Sequence, residues 1–144
     1  MDLGEAYSGV AISDPGHSLA RPLEVVPSEE LTEYLRTLLA EEGITEVVVG
    51  VPKTLGGELG FQAKRVLDRL VTLRNEFPAV CFVEWDERLT TRLVRSSPSR
   101  SRSGDRPGRR KGRAKERVDH LAAAGMLQEY LDRRRAFEAV RQDP

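Results

Sequence analysis

Three separated acidic positions in this chain have surroundings that could give them chemical work. Asp2 lies just ahead of Gly4 and a β-type run from Ser8, inside what should be an opening strand. The tripeptide Asp86-Glu87-Arg88 follows directly on an apolar run that ends at Trp85. Asp119 stands at i−4 to Ala123 and i−7 to Met126, which puts it in the first turn and on the inward face of a final helix. Each has an ordinary reading: a solvated N-terminal acid, a charged strand exit, a complement to the helix dipole. Their arrangement says more. A carboxylate facing inward is costly unless paired or metal-bound, and one acid on the first strand, one after the last strand and one on the final helix can converge at one sheet edge. Three close carboxylates repel one another, and hard divalent cations relieve that with oxygen ligands. Two such ions about 4 Å apart activate water and stabilise the leaving oxygen in phosphodiester cleavage.

Other features bear on the partner. The loop Gly50-Val51-Pro52-Lys53-Thr54-Leu55-Gly56-Gly57 sets a lysine and backbone N–H groups at a strand end, suited to phosphate oxygens but common as a pattern. Formal net charge is zero, from 23 basic and 23 acidic residues. The zero conceals a polarised object. Residues 95–117 hold ten basic and two acidic residues, a net of +8, leaving −8 on everything else. Such a block attracts phosphate backbones whatever the total charge. Residues 96–112 contain no apolar side chain, which predicts a mobile Ser/Arg/Gly-rich insertion. His17, His120 and the single Cys81 do not make a zinc set, and no P-loop is present. His120 is expected to face solvent. One cysteine cannot form an internal disulfide, in keeping with a reducing cytoplasm. No stretch is apolar enough to cross a membrane, so a membrane partner is not expected.

The elements that must position these residues follow from periodicity. Residues 8–14 and 20–26 read as a hairpin around Pro15-Gly16. Ser28 is the expected N-cap of a helix whose Leu31, Leu35, Leu38 and Leu39 share one face and which ends near Gly43. Residues 46–51, EVVVGV, form a nearly continuous apolar run typical of a buried parallel strand. Val66, Leu70 and Leu73 mark a helix over 62–75, and residues 80–85 a further strand that buries Cys81. A last helix is predicted over 115–135, with Ala123, Met126, Leu127, Tyr130 and Leu131 inward and the tail 136–144 frayed. The order predicts one α/β domain over 1–135, antiparallel strands first and parallel strands after, carrying its basic insertion at 95–117.

These motifs also carry a resemblance. D-L-G near the start, G-V-A-I-S-D-P, A-R-P-L-E, V-V-V-G-V-P-K with its following glycines, D-E-R-L-T-T and V-D-H-L-A-A-A come in the order and spacing of the YqgF/RuvX family, over roughly residues 2–132. The resemblance implies an RNase H-like mixed sheet flanked by helices, and a metal-dependent nuclease of the hydrolase class acting on ester bonds. The family is associated with 5′-end processing of pre-16S rRNA and with resolution of Holliday junctions. Carried over by motif, Asp2, Glu87 and Asp119 take the catalytic, metal-binding positions for Mg²⁺ or Mn²⁺, two ions being expected. Asp86 becomes a neighbour. Arg88, Thr90 and Thr91 would shape or contact the substrate, with Lys53 and the basic Arg109, Arg110, Lys111 and Arg113 gripping phosphates. The family usually has several apolar residues before its first aspartate, whereas here Met1 directly precedes Asp2, and the family's D-x-G is followed by residues other than Ala6, Tyr7 and Ser8. The alternative is a non-catalytic RNA-binding factor in small ribosomal subunit maturation. The D-x-G strand also occurs in actin-like ATPases and sugar kinases, which need two such domains. RNA against DNA, and monomer against homodimer, are left open by the residues alone.

Overall fold

The computed structural model describes residues 1–53, 60–87 and 110–142, with no side-chain description for 110–119. Strands β1 (Asp2–Leu3), β2 (Tyr7–Ser13) and β3 (Ala20–Pro27) form an antiparallel ladder in that order, and β4 (Glu46–Val51) and β5 (Cys81–Asp86) a parallel one. Residue Met1 joins the two. Its amine donates to the Val48 carbonyl at 2.6 Å, and its own carbonyl accepts from the Gly50 N–H at 3.1 Å. That pair of bonds, to the residues on either side of Val49, is one step of a parallel ladder. Across the molecule the strands therefore run β3-β2-β1-β4-β5, the mixed sheet expected for an RNase H-like α/β fold.

The helices α1 (Leu31–Glu42) and α2 (Phe61–Glu76) cover one face, and α3 (Arg110–Gln142) covers the other. The pleat explains the division, because successive side chains leave opposite faces. Along β4, Val47, Val49 and Val51 join Leu31, Leu35, Leu39, Val66, Leu70 and Leu73 in one core, while Val48 turns away to meet Trp85 of β5 and Met126 of α3. Helix α1 ends at Gly43, whose left-handed φ of 61° lets the terminal turn close on the Leu39 carbonyl. Helix α3 is anchored at Tyr130, which donates to Glu46 at 2.6 Å and stacks edge-on against Trp85 at 5.9 Å. Gln128 clamps the hairpin turn, accepting from the Ala20 N–H and donating to the Ser18 carbonyl. Among the described residues no helix is long and apolar enough to cross a membrane.

Several sequence expectations are corrected. Ser28 does not cap α1, whose N-cap is Glu30; the Ser28 hydroxyl donates to the Gly4 carbonyl at 3.0 Å and lies 3.3 Å from the Ser8 hydroxyl. Tertiary partners outbid the local cap. Cys81 is exposed, because it starts β5 on the rim rather than in its middle. The final helix starts at Arg110 and continues to Gln142, past both ends set by its apolar pattern. Beyond Arg134, which still reaches Glu46 of β4 at 3.3 Å, residues 135–142 are exposed; Arg, Ala, Glu and Gln there are good helix formers. Residues 95–109 of the basic segment lie outside the described residues. His120 is half-buried rather than facing solvent.

Leu70 is fully buried between α2 and the sheet. Leu70→Ala should cost about 2–5 kcal/mol of stability, read as a lower urea midpoint with an unchanged slope.

Candidate active site

Strand alternation decides which acids meet. Met1 and Leu3 lie in the α1/α2 core, so Asp2 between them leaves the opposite face, toward α3. On β5, Phe82 belongs to the α1/α2 core and Trp85 to the α3 side. Glu84 accordingly reaches Arg74 of α2 at 3.5 Å, and Asp86 shares its parity. Glu87, one residue on, returns to the α3 side. The intervening strand supplies Gly50, which stands beside Asp2 in the parallel register and opposite Trp85. A Cβ at Gly50 would come within 2.7 Å of both Glu87 Oε1 and Met126 Sδ. The missing side chain is therefore the space that Glu87 uses. Of the two acids in the Asp86-Glu87 pair, the pleat turns Glu87 toward Asp2's face.

Asp2 and Glu87, each half-buried, line one cleft of about 530 Å³ at the C-terminal ends of β1 and β4. Their charges converge on the same neighbour. The Met1 amine is pushed down from 8.0 to about 6 by burial, opposed by the carboxylates of Asp2 and then Glu87. The cleft is also bordered by the loop 4–7, by Ser8 and Ser28, and by Gln62, Arg65 and Arg69 on α2. Ser28 ties these parts together: its N–H donates to the Ala6 carbonyl, and its carbonyl accepts from Arg69 at 2.6 Å.

Asp119 lies in the third turn of α3 rather than the first, because the helix begins nine residues before it; its side chain is outside the described residues. Among the described residues no group of three or more His, Cys, Asp or Glu side chains is placed to hold a metal ion. Asp2 and Glu87 nevertheless offer two carboxylates to one cleft, oxygen donors of the kind a hard cation takes. Lys53 is exposed after β4 and does not line the cleft. Arg88, Thr90, Thr91 and Arg109 lie outside the described residues. Arg110, Lys111 and Arg113 fall in the first turn of α3, without described side chains. Sequence reasoning missed the spacing role of Gly50 and the α2 residues Gln62, Arg65 and Arg69. The i, i+3, i+7 spacing of the latter beside the core positions Ala63, Val66 and Leu70 is the signal that could have found them.

Two outcomes follow from this geometry. Gly50→Ala should leave the fold intact, since flexible side-chain ends are what the methyl meets, while displacing Glu87; any activity carried by this cleft should fall much further than thermal stability. For the chain beginning at Met1, the unfolded amine binds its proton more tightly than the folded one. Stability should therefore rise by about 2 kcal/mol between pH 6 and 8, and urea denaturation across that window would expose a flat profile.

The family model described as RuvX, Holliday junction resolvase, matches residues 1–133. A protein of Rubrobacter xylanophilus named "Putative pre-16S rRNA nuclease" is 63% identical over 132 residues, covering 92% of this chain and 89% of the relative. Proteins of the same name from Chloroflexus aggregans and a Sulfurihydrogenibium species are 39% and 35% identical, over 94% and 92% of this chain and 92% and 88% of their own lengths. With the match running from Met1 through the anchoring stretch of α3, this chain belongs to the RuvX family.

Proposed function

We propose that this protein is a divalent-metal-dependent nuclease that hydrolyses phosphodiester bonds in structured nucleic acid, with the 5′ end of pre-16S rRNA as its main substrate and branched DNA as a second. The observation that carries this reading is the meeting of Asp2 and Glu87 on one cleft, from segments far apart in sequence, with Gly50 leaving room for Glu87 beside Met126. The relatives' shared name favours RNA.

In this reading Asp2, Glu87 and Asp119 hold Mg²⁺ or Mn²⁺, as one or two ions. The metal supplies Lewis-acid activation of water and neutralises charge on the leaving oxygen. The chain does the rest. Loop 4–7 and α2 limit the approach of the backbone to the cleft. Met1, buried under Asp2, fixes the height of that carboxylate by its two bonds to β4. Lys53, Arg88, Thr90, Thr91, Arg109, Arg110, Lys111 and Arg113 contribute phosphate contacts, which give affinity and register rather than sequence reading.

The test compares wild type with Asp2→Asn and Glu87→Gln on a 5′-extended small-subunit rRNA fragment and a four-way DNA junction, in Mg²⁺, Mn²⁺ or EDTA. Metal-dependent cutting should be lost in both variants, by at least about 100-fold, with binding retained. Equal cutting by the variants removes this site. Binding without cutting by wild type in every condition supports an RNA-binding maturation factor instead.

A further inference from the structure

Helix α2 presents two arginines to the cleft for which the carboxylate chemistry has no use. Arg65 and Arg69 are one helical turn apart and share a face with Gln62, and all three border the same 530 Å³ cleft as Asp2 and Glu87. Both guanidinium groups are positioned. Arg69 is half-buried and spends one N–H on the Ser28 carbonyl at 2.6 Å, leaving the other donors of its fork. Arg65 lies over the Phe61 ring at 5.6 Å and meets Glu5 at 3.2 Å in an ion pair exposed on both sides. A pair so exposed is weak, and a phosphate takes Arg65 from it by offering bidentate oxygens in place of a solvated carboxylate.

We propose that Arg65 and Arg69 form a phosphate-binding face that receives the backbone phosphate neighbouring the one at Asp2 and Glu87, with Glu5 as the internal competitor for Arg65. The inference rests on the nuclease reading for the identity of the ligand, a nucleic-acid backbone. It adds where that backbone runs: along α2, across the mouth of loop 4–7. An anionic strand entering an acidic cleft needs cations on its rim, and among the described residues Arg65 and Arg69 are side-chain cations that border it. Lys64, adjacent in sequence and equally charged, is exposed and does not border the cleft.

The experiment measures binding of a fluorescein-labelled RNA hairpin with a single-stranded 5′ extension, by anisotropy in EDTA, so that cleavage plays no part. Arg65→Ala and Arg69→Ala should each weaken binding by about tenfold, the size of one lost charge-assisted contact, and lower the salt-dependence slope by about 0.7. Glu5→Gln should tighten binding about two- to fivefold, the strength of one exposed ion pair. Lys64→Ala should stay near wild type. Should Arg69→Ala unfold, exposed Arg65 and Glu5 still decide the matter through their opposite signs. Equal losses in Lys64→Ala and Arg65→Ala, unchanged binding in Arg65→Ala, or no RNA binding by wild type each overturn the proposal. Metal-dependent cutting lost in Glu87→Gln but indifferent to Arg65 sinks this inference alone. Arginine-dependent binding in a protein that never cuts sinks the nuclease reading and leaves the phosphate face standing.

Discussion

Two backbone hydrogen bonds hold the functional halves of this protein in register. The antiparallel ladder carries Asp2, the parallel ladder leads into Glu87, and Met1 joins the two ladders through Val48 and Gly50. That step sets the register of Asp2 against β4. Sliding β1 by one residue against β4 would turn Asp2 into the α1/α2 core and bring Met1 out to the site, because the pleat has a period of two. The core resists such a slip: Met1 is buried with Val10, Val26 and Val49, and a slip would bury a carboxylate among them.

The same alternation reconciles an apolar strand with a polar site. β4 is buried on both faces, yet its two faces do different work. Its odd-numbered valines fill the core beneath α1 and α2, while Val48 and Gly50 look toward α3. Packing takes the valine and the site takes the glycine. A side chain at Gly50 would occupy the volume that Glu87 and Met126 now share, so the strand interior tolerates a residue that is otherwise poor there. Cleft formation thus rests on an omitted side chain as much as on the acids themselves.

Ser28 illustrates how local preference yields to tertiary demand. Its type and position before an apolar helical pattern favour capping, but its hydroxyl, N–H and carbonyl are all taken up by Gly4, Ala6 and Arg69. These bonds fasten loop 4–7 to the end of β3 and to α2, which is what gives the cleft a defined wall. The helix begins at Leu31 with a backbone turn in place of a side-chain cap. One unmade cap costs about 1 kcal/mol, and three tertiary hydrogen bonds offset it.

The amino-acid sequence by itself determined the elements and their order, since hydrophobic period separates helices from strands without help from distant residues. The hairpin, the apolar strand Glu46–Val51 and the inward residues Ala123, Met126 and Leu131 all follow from local pattern. Motif order also singled out Asp2, Glu87 and Asp119. Register and face are different quantities, because they depend on which backbone groups pair across the sheet. Tertiary pairing is what puts Asp2 and Glu87 on one side, leaves room for Glu87 at Gly50, sets Cys81 on the rim, and brings Arg65 and Arg69 to the border of the same cleft. Helix ends were illegible for a related reason. The apolar stripe of α3 marks where it packs, whereas its reach to Gln142 depends on the backbone propensity of exposed polar residues that leave no periodic trace.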